Sequence, residues 1–99
     1  MFQKPIKIKS KKIRDSAKGE SCTMRLAGIC DRDPSKVMLC HVNSFRKGVG
    51  NKSHDIHAYY GCSSCHAEET ANRVDAVDIL RAMIETQDKM IQKGLIEVK

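Results

Sequence analysis

The residues of this chain best equipped for chemistry are five cysteines and four histidines, all of them within residues 21–73. Cys62-Ser63-Ser64-Cys65 is a C-x-x-C followed at once by His66. Two thiolates at that spacing reach one metal from a tight turn, and the same spacing serves a thioredoxin-like redox pair. A redox pair belongs in a βαβ pattern and leaves the other cysteines unexplained. A structural zinc needs four ligands. Cys22 and Cys30 supply the missing half if the chain folds back at Ala27-Gly28, where glycine can take a positive φ. Their C-x7-C spacing is longer than the usual C-x2–4-C. The expectation is a zinc site of Cys22, Cys30, Cys62 and Cys65, with redox chemistry at Cys62 and Cys65 as a weaker alternative. An odd number of cysteines, without an apolar run after the basic start, argues against disulfides and for thiols kept reduced in the cytoplasm.

Val37-Met38-Leu39-Cys40-His41-Val42 reads as a short buried strand, which sends Cys40 and His41 to opposite faces. Free cysteine is among the most buried residue types, so Cys40 is expected to fill the core. His41 is the one strongly polar side chain of that run. Such an imidazole is either a core histidine bonded to a backbone carbonyl or a general base able to take a proton from water near neutral pH. His54 and His57 flank Asp55 and read as surface residues, with metal or phosphate contact as the sharper alternative. Asn43, Ser44, Arg46 and Lys47 could line a phosphate-binding edge.

The elements that must position these groups follow from composition and period. Ninety-nine residues, 40% hydrophobic, with two Phe, two Tyr and no Trp, allow one small domain whose thin core would benefit from a metal staple. Two-domain and large cofactor-enclosing enzymes are excluded by size, and no apolar run approaches the ~18 residues of a membrane span. Residues 1–18 carry seven basic side chains against Asp15 alone, while residues 19–99 are balanced. The excess charge therefore sits on a basic arm, suited to a polyanion or simply to solubility. The arm reads as extended at first, with a short helical turn at residues 16–20 that Gly19 stops. A turn at Pro34-Ser35, a polar loop at 47–53, a second strand at 56–60 ending on Gly61 and a helix from Cys62 complete the middle. Residues 75–93 form the clearest helix. Val77, Leu80, Ile84 and Ile91 recur on one stripe beside Met83 and Met90, Asp75 and Asp78 suit its first turn, Lys89 and Lys93 its last, and Gly94 its stop. That stripe is expected to pack against the middle unit.

A histidine on a first strand, a polar loop, a second strand and a C-x-x-C-H opening a helix resemble the HNH, or His-Me finger, nucleases. More closely, Ser16-Ala17-Lys18-Gly19-Glu20-Ser21-Cys22, Arg25-Leu26-Ala27-Gly28-Ile29-Cys30, Leu39-Cys40-His41-Val42, Asp55 and Gly61-Cys62-Ser63-Ser64-Cys65-His66 are similar to the YbcO-type nucleases of prophages. The similarity covers residues 13–73, with a matching helical tail. It implies an α+β fold: a small zinc-stabilised ββα-metal (HNH-like) unit with a C-terminal packing helix. It also implies a metal-dependent DNA endonuclease with His41 as general base. His66 would ligate a catalytic divalent cation such as Mg²⁺ or Mn²⁺, distinct from the structural Zn²⁺, and Asp55 would orient the loop or help hold the base or metal. Cys40 stands where many HNH enzymes carry Asp or His, and Glu69 where a basic residue is common. The arm, through Lys9, Lys11, Lys12 and Arg14, and Arg73 on the helix would contact DNA. The alternative is a non-catalytic zinc-stabilised module that binds nucleic acid.

Overall fold

The computed structural model describes residues 9–42 and 54–97. Helix α1 (Lys11–Asp15) starts because the Ser10 hydroxyl accepts the Ile13 N–H at 3.2 Å, which satisfies one of the free donors of the first turn. Ile13 and Ala17 are buried in the same core as the rest of the chain. The helical turn expected at residues 16–20 thus lies one turn earlier, set by the Ser10 cap and the docking of Ile13. Gly19, at φ 78°, then redirects the chain. After a loop, a 3₁₀ turn at Pro34–Lys36 is capped by Asp33, whose carboxylate accepts the Ser35 N–H.

Strand β1 (Val37–His41) pairs antiparallel with β2 (Ala58–Cys62), with Val37 opposite Cys62, Leu39 opposite Tyr60, Cys40 opposite Tyr59 and His41 opposite Ala58. The second strand runs two residues later than the sequence pattern suggests. Every residue of β2 is buried, so it lacks the alternation that would have marked its limits. Side chains of paired residues share a face. Leu39, His41, Ala58 and Tyr60 therefore lie on one side of the hairpin, and Cys40 and Tyr59 on the other. Gly61 is required here: a Cβ on it would come within 2.5 Å of the Tyr59 ring and 3.3 Å of Cys40 Sγ. The loop expected at 47–53 and residues Asn43, Ser44, Arg46 and Lys47 lie outside the described residues.

Helix α2 (Ser63–Thr70) leaves β2 directly, with Cys62 as its cap. Helix α3 (Ala76–Gln92) ends where Gly94 takes φ 73°. A two-stranded sheet leaves β2 with an open edge, and α3 seals it. The Thr86 hydroxyl accepts the Tyr60 N–H at 2.9 Å, while Thr23 donates to the Tyr60 carbonyl through its N–H at 2.7 Å and its hydroxyl at 2.9 Å. Satisfying these groups is what allows the strand to be buried. Among the described residues no helix is long and apolar enough to cross a membrane.

The face of α3 that packs inward is not the expected one. Ile79, Ala82, Thr86 and Met90 are buried, whereas Val77, Leu80, Ile84 and Ile91 are 76%, 58%, 50% and 56% exposed. Both stripes have helical spacing, so period alone does not choose between them. The choice follows from contact: Ala82 and Thr86 are short enough for close approach, and only Thr86 can pair with the Tyr60 N–H. Replacing Thr86 by Val should leave that buried N–H unpaired and cost about 1–3 kcal/mol, whereas Thr86→Ser should retain most of the stability. Chemical denaturation of the two variants checks this.

Candidate metal centre and histidine–carboxylate pair

The loop of residues 21–33 and the junction of β2 with α2 bring four thiols together. One Sγ each from Cys22, Cys30, Cys62 and Cys65 lies within 4.8 Å of all the others. The C-x-x-C half meets the C-x7-C half because Gly28 turns the chain at φ 74°. Arg25 at φ 47° and Arg32 at φ 55° bend it again beside Cys22 and Cys30. Backbone N–H groups point at the sulfurs: Cys62 N–H at Cys22 Sγ (3.4 Å), Asp31 N–H at Cys62 Sγ (3.4 Å) and Cys65 N–H at Cys62 Sγ (3.5 Å). Arg81 holds the loop from outside, donating to the Thr23 and Met24 carbonyls at 2.8 Å each, and Arg25 forms a two-pronged pair with Glu85.

These residues fit a tetrahedral metal. Four soft donors converge, and N–H···S bonds of this kind stabilise thiolates. The thiols differ in readiness to ionise. Burial works against the Cys22 thiolate, yet the Arg25, Cys62 and Met24 N–H groups hold its pKa below the ordinary thiol range. Burial and then the neighbouring sulfurs push Cys30 and Cys65 up. Four thiolates this close repel one another, and a bound divalent cation would remove that repulsion. Cys40 stands apart from the cluster. It is buried against Gly61 and burial pushes its thiol up to about 12, as suits core filler.

At the other end of the hairpin the Asp55 carboxylate, 3% exposed, gathers three partners. Its Oδ1 lies 2.8 Å from His41 Nε2, while Oδ2 accepts the Ser10 N–H at 2.6 Å and Arg14 Nη1 at 3.2 Å. Burial disfavours the charge, but the Ser10 N–H, His41 and Arg14 together keep the carboxyl below the usual carboxylate range. An ionised carboxylate only accepts, so His41 Nε2 is the donor in this pair. The His41 side chain is 34% exposed, open to water and ligand. The loop bearing Asp55 is fixed by Gln87 of α3, which donates to the Ile56 carbonyl at 2.7 Å, and by the Val42 N–H bonded to the His57 carbonyl at 3.1 Å.

His66 is placed elsewhere. It lies edge-on to Tyr59, with centroids 6.3 Å apart, on the face of the hairpin opposite His41. Its Nε2 is buried with no hydrogen-bond partner among the described residues. Glu69, one turn further on, is fully buried and accepts from the Tyr59 hydroxyl at 3.4 Å. His54 and His57 stack edge to face at 5.0 Å. Of the basic side chains expected at DNA, Lys9, Lys11 and Lys12 are exposed, Arg14 is turned onto Asp55 and Arg73 pairs with Glu68 at 2.7 Å. The Ser10 contact to Asp55 spans 45 residues. Its only trace in the sequence is a serine ahead of Lys11-Lys12-Ile13, a helix-cap pattern.

The cluster leads to two outcomes. Elemental analysis of the purified chain should find close to one zinc per molecule. Cys22→Ser should lose the metal and unfold the domain, while Cys40→Ser should keep the metal with a smaller loss of stability; circular dichroism and metal content together distinguish them.

Residues 11–95 match the family model "Putative nuclease YbcO". A "Putative nuclease YbcO" of Escherichia coli (strain K12) is 31% identical over 93 residues, covering 86% of this chain and 96% of that protein. A protein of the same description from Enterobacteria phage 82 matches with the same figures. A solved structure described as a putative bacteriophage protein from Escherichia coli K-12 superposes with a TM-score of 0.66 at 30% identity, covering 84% of this chain and all of that one. Sequence and fold thus agree over most of the molecule, and the chain belongs to the "Putative nuclease YbcO" family.

Proposed function

We propose that this chain is a DNA endonuclease of the HNH type, hydrolysing phosphodiester bonds with His41 as the general base. The observation that carries the reading is the His41–Asp55 pair: a partly exposed imidazole whose far nitrogen is fixed by a buried carboxylate. In the step proposed, Nδ1 of His41 takes a proton from water as its oxygen attacks phosphorus, and the bond from phosphorus to the leaving sugar oxygen breaks. Asp55 keeps the ring in one tautomer and stabilises the imidazolium that forms, a role known from other base–carboxylate pairs. The family's description as a "Putative nuclease" supports a nucleic-acid substrate.

The metals have separate places in this reading. Cys22, Cys30, Cys62 and Cys65 would hold a structural zinc, which supplies folding energy and no chemistry. The resemblance to HNH enzymes adds a divalent cation such as Mg²⁺ or Mn²⁺, which there supplies stabilisation of charge on the phosphate. His66 Nε2 is the nitrogen proposed for it, but among the described residues no group of three metal-ligating side chains forms around it. The same fact favours the second reading: a zinc-stabilised module that binds nucleic acid without turnover.

Nicking of supercoiled plasmid in the presence of Mg²⁺ or Mn²⁺ separates the two. The nuclease reading expects activity that His41→Ala abolishes and Asp55→Asn lowers by about 10²–10⁴-fold, with zinc content and fold retained. DNA binding with no cleavage under either ion sinks the catalytic reading and leaves the module. Replacing Lys9, Lys11 and Lys12 together by Ala should weaken DNA binding at low salt and reduce the steepness of its salt dependence by about 2–3. An unchanged slope would remove the arm from the interface.

A further inference from the structure

Of the basic residues at positions 9–18, Arg14 is the one that the fold draws into the His41 site. Lys9, Lys11 and Lys12 are exposed, and Lys18 turns to Asp15 at 3.7 Å. Arg14 instead gives Nη1 to Asp55 Oδ2 at 3.2 Å, while Oδ1 of the same carboxylate holds His41 Nε2 at 2.8 Å. The guanidinium and the imidazole are therefore separated by no more than two hydrogen bonds and one carboxylate.

Exposure decides which of these groups meets a ligand. The Asp55 side chain is 4% exposed, that of His41 34% and that of Arg14 46%. The negative charge thus lies beneath, with both oxygens occupied, while the cation and the imidazole reach solvent. Arginine carries five N–H donors in a planar fork. Among the described residues only Nη1 of Arg14 has an acceptor, so its other donors are open to a ligand. That fork matches the oxygens of a phosphate. The excess positive charge of the chain lies in the same segment, residues 1–18, and draws a polyanion to this end of the molecule. One edge already anchored on a buried carboxylate also leaves the guanidinium less freedom to lose on binding.

We propose that Arg14 binds the phosphodiester on which His41 acts, donating from its free edge to a non-bridging phosphate oxygen. There it opposes the charge that develops as water attacks phosphorus. The step rests on the nuclease reading. It assigns Arg14 to the reacting phosphate, apart from the flanking backbone that Lys9, Lys11 and Lys12 would meet.

Titration of the zinc-loaded full chain with inorganic phosphate, at fixed pH and ionic strength, tests the site by NMR. The Arg14 Nε–H and His41 ring signals should shift together and saturate, and Arg14→Gln should abolish the His41 shift. On a DNA duplex, Arg14→Gln should lower the steepness of the salt dependence by about 1. Arg14→Lys keeps the charge and should preserve it. In the plasmid assay Arg14→Gln should reduce nicking by about 10²–10³-fold, with zinc content and circular dichroism unchanged. An arginine that only props Asp55 would also slow nicking, but would leave phosphate binding and the salt slope as they are; that result overturns the proposal. So does a wild-type chain whose Arg14 and His41 signals ignore phosphate, a measurement that needs no variant to fold. The binding arms need no turnover. A chain that binds phosphate through Arg14 and never nicks DNA loses the nuclease reading and keeps Arg14 as a phosphate ligand, whereas full nicking by Arg14→Gln removes Arg14 and keeps His41.

Discussion

The convergence of four thiols is the constraint on which the rest of this small molecule depends. It ties a loop more than thirty residues away in sequence to the end of β2 and the start of α2. With two Phe, two Tyr and no Trp, the core has little aromatic surface to hold those pieces by burial alone. A metal seated there would contribute apparent binding energy on the order of 10–16 kcal/mol, as in small zinc domains. Without it the cluster is a liability, since burial and the neighbouring sulfurs oppose ionisation of Cys30 and Cys65. The N–H groups aimed at Cys22 and Cys62, together with the Arg81 clamp on the Thr23 and Met24 carbonyls, orient the loop toward the cluster.

Asp55 plays the corresponding part at the far end of the hairpin, with electrostatics in place of coordination. A nearly inaccessible carboxylate costs free energy unless its lone pairs are taken up. Here the Ser10 N–H, Arg14 and His41 take them up at once. One side chain thereby secures α1, fixes the loop before β2 and sets the tautomer of the imidazole. Basic residues of the amino-terminal stretch consequently divide into two kinds. Arg14 serves the interior of the site, while Lys9, Lys11 and Lys12 remain in solvent. Helix α3 spans both ends, reaching the thiol loop through Arg81 and Glu85 and the Asp55 loop through Gln87.

The hairpin also separates its side chains by face. His41 shares its side with Leu39, Ala58 and Tyr60, while His66 lies with Tyr59 on the other. Tyr59 can lie flat over the strand only because residue 61 is glycine, and its hydroxyl reaches the buried Glu69.

Local features were legible in the sequence because their causes are local. The C-x-x-C cap of α2, the turns at Gly28 and Pro34, the opposite facing of Cys40 and His41 and the Gly94 stop all depend on residues a few positions apart. The cysteine count and the absence of any other role for Cys22 and Cys30 made the four-thiol cluster readable as well. What the tertiary structure alone decided are contacts between residues far apart in the chain. Nothing in the period of α3 distinguishes the Ile79–Met90 face from the Val77–Ile91 face. The deciding contact is the bond from the Tyr60 N–H to the Thr86 hydroxyl. Likewise, Ser10 and Arg14 meet Asp55 across more than forty residues. Pairing of that kind leaves no periodic trace, because it depends on which groups the folded chain leaves unsatisfied and close at hand.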